Sequence, residues 1–284
     1  MQIRLGYHLE FELAGVTPFI TLLNVHPTRE LDLLQPEILR VIPDTPIHYY
    51  LDVFGNRCAR FTAGPGTLVL QSESAIRDSG ELDREDPQTR EVPVQDLPDE
   101  VLQFLLASRY CEVDALSPAA VELFGGITPG WSRVQAICAW VHDKVRFGYG
   151  LSRPTKTALD VYTERTGVCR DFQHLAITFC RALNIPARYA TGYLGDIGVP
   201  PAPTPMDFSA WFEAYLEDRW WTFDARHNAR RIGRILMATG RDAADVALTT
   251  SFGTAELKHF SVITEEQAQP MAQVMHDEAA AGRV

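Results

Sequence analysis

The chain has 284 residues with 26 Lys and Arg against 37 Asp and Glu, a formal net charge of −11. At roughly 150 residues per domain this suits one large domain or two unequal ones, and 46% hydrophobic with 22% charged residues excludes wholesale disorder, a fibrous repeat or a disulfide-knotted miniprotein. The acidity argues against a general nucleic-acid or anionic-membrane partner, because phosphate neutralisation needs clustered cations.

Residues 1 to about 72 alternate in short runs rich in Ile, Val, Thr, Tyr and Phe. Ile3 to Phe11, Phe19 to Val25, Ile47 to Val53, Cys58 to Thr62 and Thr67 to Leu70 are expected strands. Phe54-Gly55-Asn56-Arg57 is a hairpin turn that pairs two of them antiparallel. An antiparallel β-sandwich over residues 1–76 is the expectation. Residues 77–98 combine acidic side chains with Pro87, Pro93 and Pro98 and little apolar content, the composition of a linker that solvates itself.

From residue 99 the period lengthens to about 3.6. Asp99 to Tyr110 and Ser132 to Arg146 carry apolar stripes, and residues 169–183 form the best-patterned helix, with Phe172, Leu175, Ala176, Phe179, Cys180 and Leu183 on one face. Asn184-Ile185-Pro186 ends it. Ala187 to Tyr193, Phe208 to Leu216 and Arg219 to Phe223 read as strands, the last two joined at Glu217-Asp218. Helices followed by an antiparallel sheet make an α+β core over 99–264. Val199 to Pro205 holds four prolines, either a stiff wall for a cleft or a plain spacer. From Glu265 to residue 284 the tail is a terminal helix or frays.

No apolar block of signal-peptide length follows the first eight residues, and no stretch approaches the roughly 18 apolar residues of a membrane span. Five cysteines without a Cys-x-x-Cys pair suit a reducing compartment and offer no zinc spacing. A cytoplasmic protein is expected, with no membrane partner, metal or cofactor; oligomeric state is not readable.

Cys169 follows Gly167-Val168 and opens the best helix. Unpaired N–H groups and the positive dipole end favour a thiolate there, so position alone predicts a depressed pKa, with Arg170 helping and Asp171 opposing. The competing role is a small buried hydrophobe, which is how Cys180 reads. A nucleophilic thiolate needs a base, and the base an orienting carboxylate.

Thr166 to Phe172, Leu183 to Tyr189, Phe208 to Tyr215 and Trp220 to Asp224 together resemble the bacterial transglutaminase-like superfamily, whose members include cysteine proteases of the transglutaminase core fold. The Gly-Val-Cys-Arg-Asp helix start, Ile-Pro-Ala-Arg strand entry and Ala-Trp-x-Glu strand fall in the family's order, over about residues 98 to 260. The first 75 or so residues look like the β-rich domain that often precedes this core. The resemblance implies a helix-on-sheet, papain-like core, Cys169 as nucleophile and Asp224 as orienting acid. It also implies attack on a peptide or other amide through a thioester, passed to water or an amine. The family's histidine position holds Ser209, which cannot exchange a proton at neutral pH as imidazole does.

Three readings of the missing base stay open: His227 folding back as a relocated base, His174 on the helix itself, or a thiolate working without one. His174 is five residues beyond Cys169, about 140° around the helix, and is expected to face elsewhere. A catalytically silent binding module is the alternative to an enzyme. Asp207 binds substrate or caps a loop, Trp211 packs or borders the cleft, and Glu213 pairs with Arg188 or is exposed. Arg226 to Arg234 is the one basic segment, a solvated face or a seat for a substrate carboxylate.

Overall fold

Alternating apolar residues build the first two sheets of the computed structural model, which describes residues 1–267. Gln2–Leu13 (β1) buries Ile3, Leu5, Tyr7, Leu9, Phe11 and Leu13, a period of two that turns one face inward. Thr17–Thr21 (β2), Arg40–Ile42 (β3), His48–Leu51 (β4), Arg57–Ala63 (β5) and Gly66–Arg77 (β6) follow. β4 and β5 pair antiparallel across the expected turn, where Asp52 Oδ1 accepts from the amides of Phe54 and Asn56 at 2.9 Å each. β1, β3 and β6 share one sheet and β2, β4 and β5 another. Phe19, Phe61, Leu68 and Leu70 meet in the core between the two sheets.

The chain returns to this sandwich at its far end. Thr249–Ser251 pairs with β2, and Ala255–Gln267 pairs antiparallel with β1 from Leu13 to Gln2. These last strands fall within the expected 99–264 core but hydrogen-bond into the sandwich, closing a twelve-residue edge that would otherwise template aggregation. Residues 265–267 of the expected tail continue that strand, and the rest of the tail lies outside the described residues.

Residues 77–98 pack, contrary to the expected self-solvating linker. Leu82 bridges Ile232, Glu91 binds Arg133 at 3.0 Å, and Thr89 and Leu97 are buried. Acidic composition meant a loop for water, but the arginines it pairs with lie more than 40 residues away in sequence.

Beyond it come Asp99–Leu102 (α1), Val113–Phe124 (α2), Trp131–Lys144 (α3), Arg146–Phe147 (β7), Ala158–Glu164 (α4), Thr166–Gly167 (β8) and Cys169–Ala182 (α5). The helix expected to Tyr110 stops early, passing through a short 3₁₀ turn at Gln103–Leu105. The chain then offers the Leu106 carbonyl and Ser108 hydroxyl to the buried Arg181 guanidinium at 3.0 and 3.1 Å. α2 was hidden by its internal Pro118, and α4 by its brevity.

A third antiparallel sheet carries Ala187–Leu194 (β9), Ser209–Leu216 (β10), Arg219–Phe223 (β11) and Arg234–Gly240 (β12) in the order β11-β10-β9-β12. One side packs under α5, through Ala187, Ala210, Phe212 and Ala214, together with α2 and α3. Toward the far end of β9, Tyr193 with Ile235 and Met237 of β12 enters the sandwich core. Two-sided burial explains why seven of the eight residues of β9 are buried and its alternation is lost. With Thr249–Ser251 and Ala255–Gln267 as β13 and β14, the molecule is an antiparallel sandwich joined to an α+β core. No helix among the described residues is long and apolar enough to cross a membrane.

Candidate active site

The head of α5 is shaped by a glycine. A Cβ on Gly167 would stand 2.6 Å from Asp171 Cβ and 2.8 Å from its Oδ2, so only glycine lets the carboxylate reach back. That carboxylate accepts the Val168 amide at 2.9 Å and is held by Arg170 at 3.2 Å. Val168 is thereby fixed as the cap and Cys169 as the first helical residue.

Cys169 is partly exposed, yet its sulfur is crowded enough that burial pushes the thiol up to about 11. Arg226 and the Arg170 amide pull it down, while the Asp207 and Asp224 carboxylates push it further up. The depressed pKa expected from position is not what the fold gives: the partial charge of a helix end loses to desolvation first, with the Asp207 and Asp224 carboxylates adding to it. Cys180 is fully buried, as its pattern required.

Asp224 follows the last residue of β11 and is almost completely buried. Its Oδ1 accepts from Gln173 Nε2 at 3.1 Å, the Arg226 amide at 2.9 Å and the His227 amide at 3.1 Å. Its Oδ2 accepts from Arg234 at 2.9 Å and meets His227 Nδ1 at 2.8 Å. Burial alone would raise this carboxyl, but the Arg234 charge and the His227 contact outweigh it and hold Asp224 well below the usual carboxylate range. The tight 224–228 turn, closed by Asn228 N to Asp224 O at 2.8 Å, brings His227 back over the end of the strand.

Ser209 lies opposite Gly192 of β9, and its buried hydroxyl has no hydrogen-bond partner among the described residues. It shares a small cleft of about 70 Å³ with Tyr149, Thr204, Asp207, Arg226 and His227. Tyr149 is raised first by burial, with Asp207 and Cys169 adding to it, which ties the cleft to the helix head. The proline-rich loop contributes Ala202, Thr204 and Pro205, so it walls this cleft. A larger cavity, about 630 Å³, lies on the sandwich beside Tyr7, His8 and Arg40 and holds none of these residues.

Of the other candidates, His174 is fully buried, accepts the Ala243 amide at 3.1 Å on Nε2 and stacks on Tyr110, away from Asp224. Trp211 is buried with Arg234 over its ring at 5.2 Å. Glu213 pairs across strands with Arg188 at 2.6 Å. The basic segment is neither a solvated face nor an empty seat. Arg230 pairs with Glu85, Arg231 with Asp196, and Arg234 bridges Asp83 and Asp224 at 2.9 Å to each. Sequence reasoning missed Gln173, and saw Arg226 and Arg234 only as part of a basic segment, not as neighbours of Cys169 and Asp224. Gln173, four residues after Cys169 on one helix face, carried a readable signal; for Arg234 nothing short of β12 pairing with β9 could have placed it.

The Transglutaminase-like superfamily model matches residues 118–225, which span Cys169, Ser209 and Asp224 and stop short of His227. A Cytophaga hutchinsonii protein whose crystal structure is described as a "Putative Cysteine Protease" is 33% identical, superposes with a TM-score of 0.81, and covers 95% of this chain and 93% of its own. An uncharacterized Mycobacterium leprae protein is 26% identical over 218 residues, 74% of this chain and 77% of its own. The periplasmic domain of TgpA from Pseudomonas aeruginosa is 18% identical with a TM-score of 0.39, covering 79% of this chain and 88% of its own. By the family match and the full-length likeness to the Cytophaga protein, the chain belongs to the transglutaminase-like superfamily.

Proposed function

We propose that the protein is a thiol amidase or acyltransferase in which Cys169 is the nucleophile, His227 the base and Asp224 the orienting acid. The observation that carries this reading is the 2.8 Å contact between His227 Nδ1 and the buried Asp224 carboxylate, in a cleft shared with Ser209. That contact turns Nε2 away from the carboxylate, as a triad histidine requires. The imidazole side chain is 24% exposed, open to a substrate, while the carboxylate behind it is sealed.

Because burial pushes the thiol up, little of it is thiolate at neutral pH, so attack needs a base rather than the helix end alone. His227 takes the Cys169 proton as sulfur bonds to the amide carbonyl carbon, and Asp224 stabilises the imidazolium. The proton then passes to the departing amine as the C–N bond breaks, leaving a thioester. Water or an amine attacks the thioester and loses its proton to His227, and the C–S bond breaks as that proton returns to the Cys169 sulfur, releasing the acid or the new amide. The resemblance of the Cytophaga protein to this chain supports peptides or related amides as substrates. Five free cysteines support a cytoplasmic setting.

The test is hydrolysis of a generic peptide amide and thioester trapping by mass spectrometry. Adduct on Cys169 with loss of turnover in Cys169→Ser and His227→Ala supports the reading. Turnover that survives Cys169→Ser, or no acyl adduct from any amide, favours the silent binding module.

A further inference from the structure

The Asp224 carboxylate meets two side chains at a single oxygen. Oδ1 is taken by Gln173 and two backbone amides, so Oδ2 alone receives both His227 Nδ1 at 2.8 Å and Arg234 Nη2 at 2.9 Å. A permanent cation at that oxygen neutralises the charge an imidazolium needs, and the contact is almost sealed, with the Arg234 and Asp224 side chains 6% and 2% exposed. A second carboxylate offsets it. Arg234 turns its Nε to Asp83 Oδ2 at 2.9 Å, across 151 residues of sequence. Asp83 is fixed in turn: its amide donates to the Arg231 carbonyl at 2.9 Å, and the same Oδ2 accepts the Arg231 amide at 2.9 Å, beside the Leu82–Ile232 bridge. Gly233, at a φ of 75°, turns the chain between these two donors. Among the described residues, the other charged side chains that line the cleft with His227, those of Asp196, Asp207, Arg226 and Arg231, form no hydrogen bond or ion pair with the Asp224 carboxylate.

We infer that Asp83 is a positioning residue of the proposed active site: its carboxylate takes up the charge of Arg234, so that Asp224 keeps its own for the His227 imidazolium. This role rests on the reading of His227 as the base and brings the strap of residues 77–98 into the chemistry. Two carboxylates stand against one guanidinium until His227 takes a proton, and the four groups are neutral together only with the imidazolium in place. Without the Asp83 charge, Arg234 and Asp224 cancel, and the imidazolium forms with no net counter-charge beside it.

The test reads the His227 ring directly and requires no turnover. In protein carrying isotope-labelled histidine, the Nδ1 proton is identified by its loss in His227→Ala, and its NMR resonance is followed at neutral pH. Asp83→Asn keeps an oxygen for both donors but removes the charge, and moves the resonance upfield as Asp224 becomes the weaker acceptor. Arg234→Gln moves it downfield, the opposite sign, whereas a merely structural loosening moves both variants the same way. Glu85→Gln removes the same unit charge from the strap, at its contact with Arg230, and leaves the resonance in place. On a peptide amide, Asp83→Asn lowers kcat by at least ~10-fold with KM unchanged. An unmoved resonance in Asp83→Asn, an equal shift in Glu85→Gln, or the same sign in Asp83→Asn and Arg234→Gln overturns the inference. Where Arg234→Gln does not fold, the comparison of Asp83→Asn with Glu85→Gln decides it. The expected shifts without turnover of any amide would instead sink the thiol amidase reading and leave the role of Asp83 toward the imidazole standing.

Discussion

At the residue scale, the proposed chemistry rests on His227 and Cys169. With His227 as the proposed base, His227→Ala keeps the nucleophile, and kcat/KM on a peptide amide should fall by about 10²- to 10⁴-fold. Ser209→His should bring no gain, since Asp224 already holds an imidazole; a gain in steady-state amidase rate would show that position 209 can host the base. The thiol itself has a signed expectation. The pH profile of iodoacetamide labelling at Cys169 should inflect above the free-thiol value of about 8.5. Arg226→Ala should move that inflection up by removing a favourable cation, and Asp207→Asn should move it down by removing an opposing anion.

At the element scale, α5 is the axis of the site. Its sequence shows an apolar face, yet the structure buries the polar face too, and Gln173 and Arg181 find partners there while His174 Nδ1 has none among the described residues. Gln173 binds the Ala210 carbonyl and Asp224, and Arg181 donates to the carbonyls of Ala187 and Arg241. Arg234 on β12 plays the matching part from the sheet, joining Asp83 and Asp224 in a nearly sealed pair of contacts. Arg234→Met leaves two buried carboxylates short of a cation and should cost about 3–5 kcal/mol in a denaturant melt at neutral pH. The pH dependence follows. Asp224 has its folded pKa depressed below the unfolded value of about 3.9, so its contribution is complete above that pH and is lost as pH falls toward the lower folded value. Arg234→Met should therefore lose most stability at neutral pH and differ least from the wild type in strong acid.

At the scale of the whole molecule, the two ends of the chain and the acidic strap hold the core against the sandwich. β1 is flanked by β6 on one side and β14 on the other. Truncation after Ser251 leaves one edge of β1 open along its length and should convert a monodisperse protein into aggregates on size-exclusion chromatography. The strap of residues 77–98 supplies Asp83 to Arg231 and Arg234, so it connects sandwich, β12 and Asp224 in one set of contacts. Phe208, next to Asp207 and Ser209, touches Tyr7, Tyr193 and Phe260, so the sandwich directly supports one wall of the cleft.

Period and turn chemistry were enough to locate the sandwich strands, α3, α5, and the β9 to β11 run, because each is specified by neighbours a few residues apart. The motif order likewise singled out Cys169 and Asp224, and left His227 as one of three readings of the missing base. What lay beyond reach depended on separations that local pattern does not encode: the return of β14 to β1, the closure of residues 77–98 on distant arginines, and the burial of the polar face of α5. The state of the thiol belongs with these. A helix head states its own preference in the sequence, but desolvation and the fields of Asp207, Asp224 and Arg226 are sums over space, and they exist only once the chain has folded.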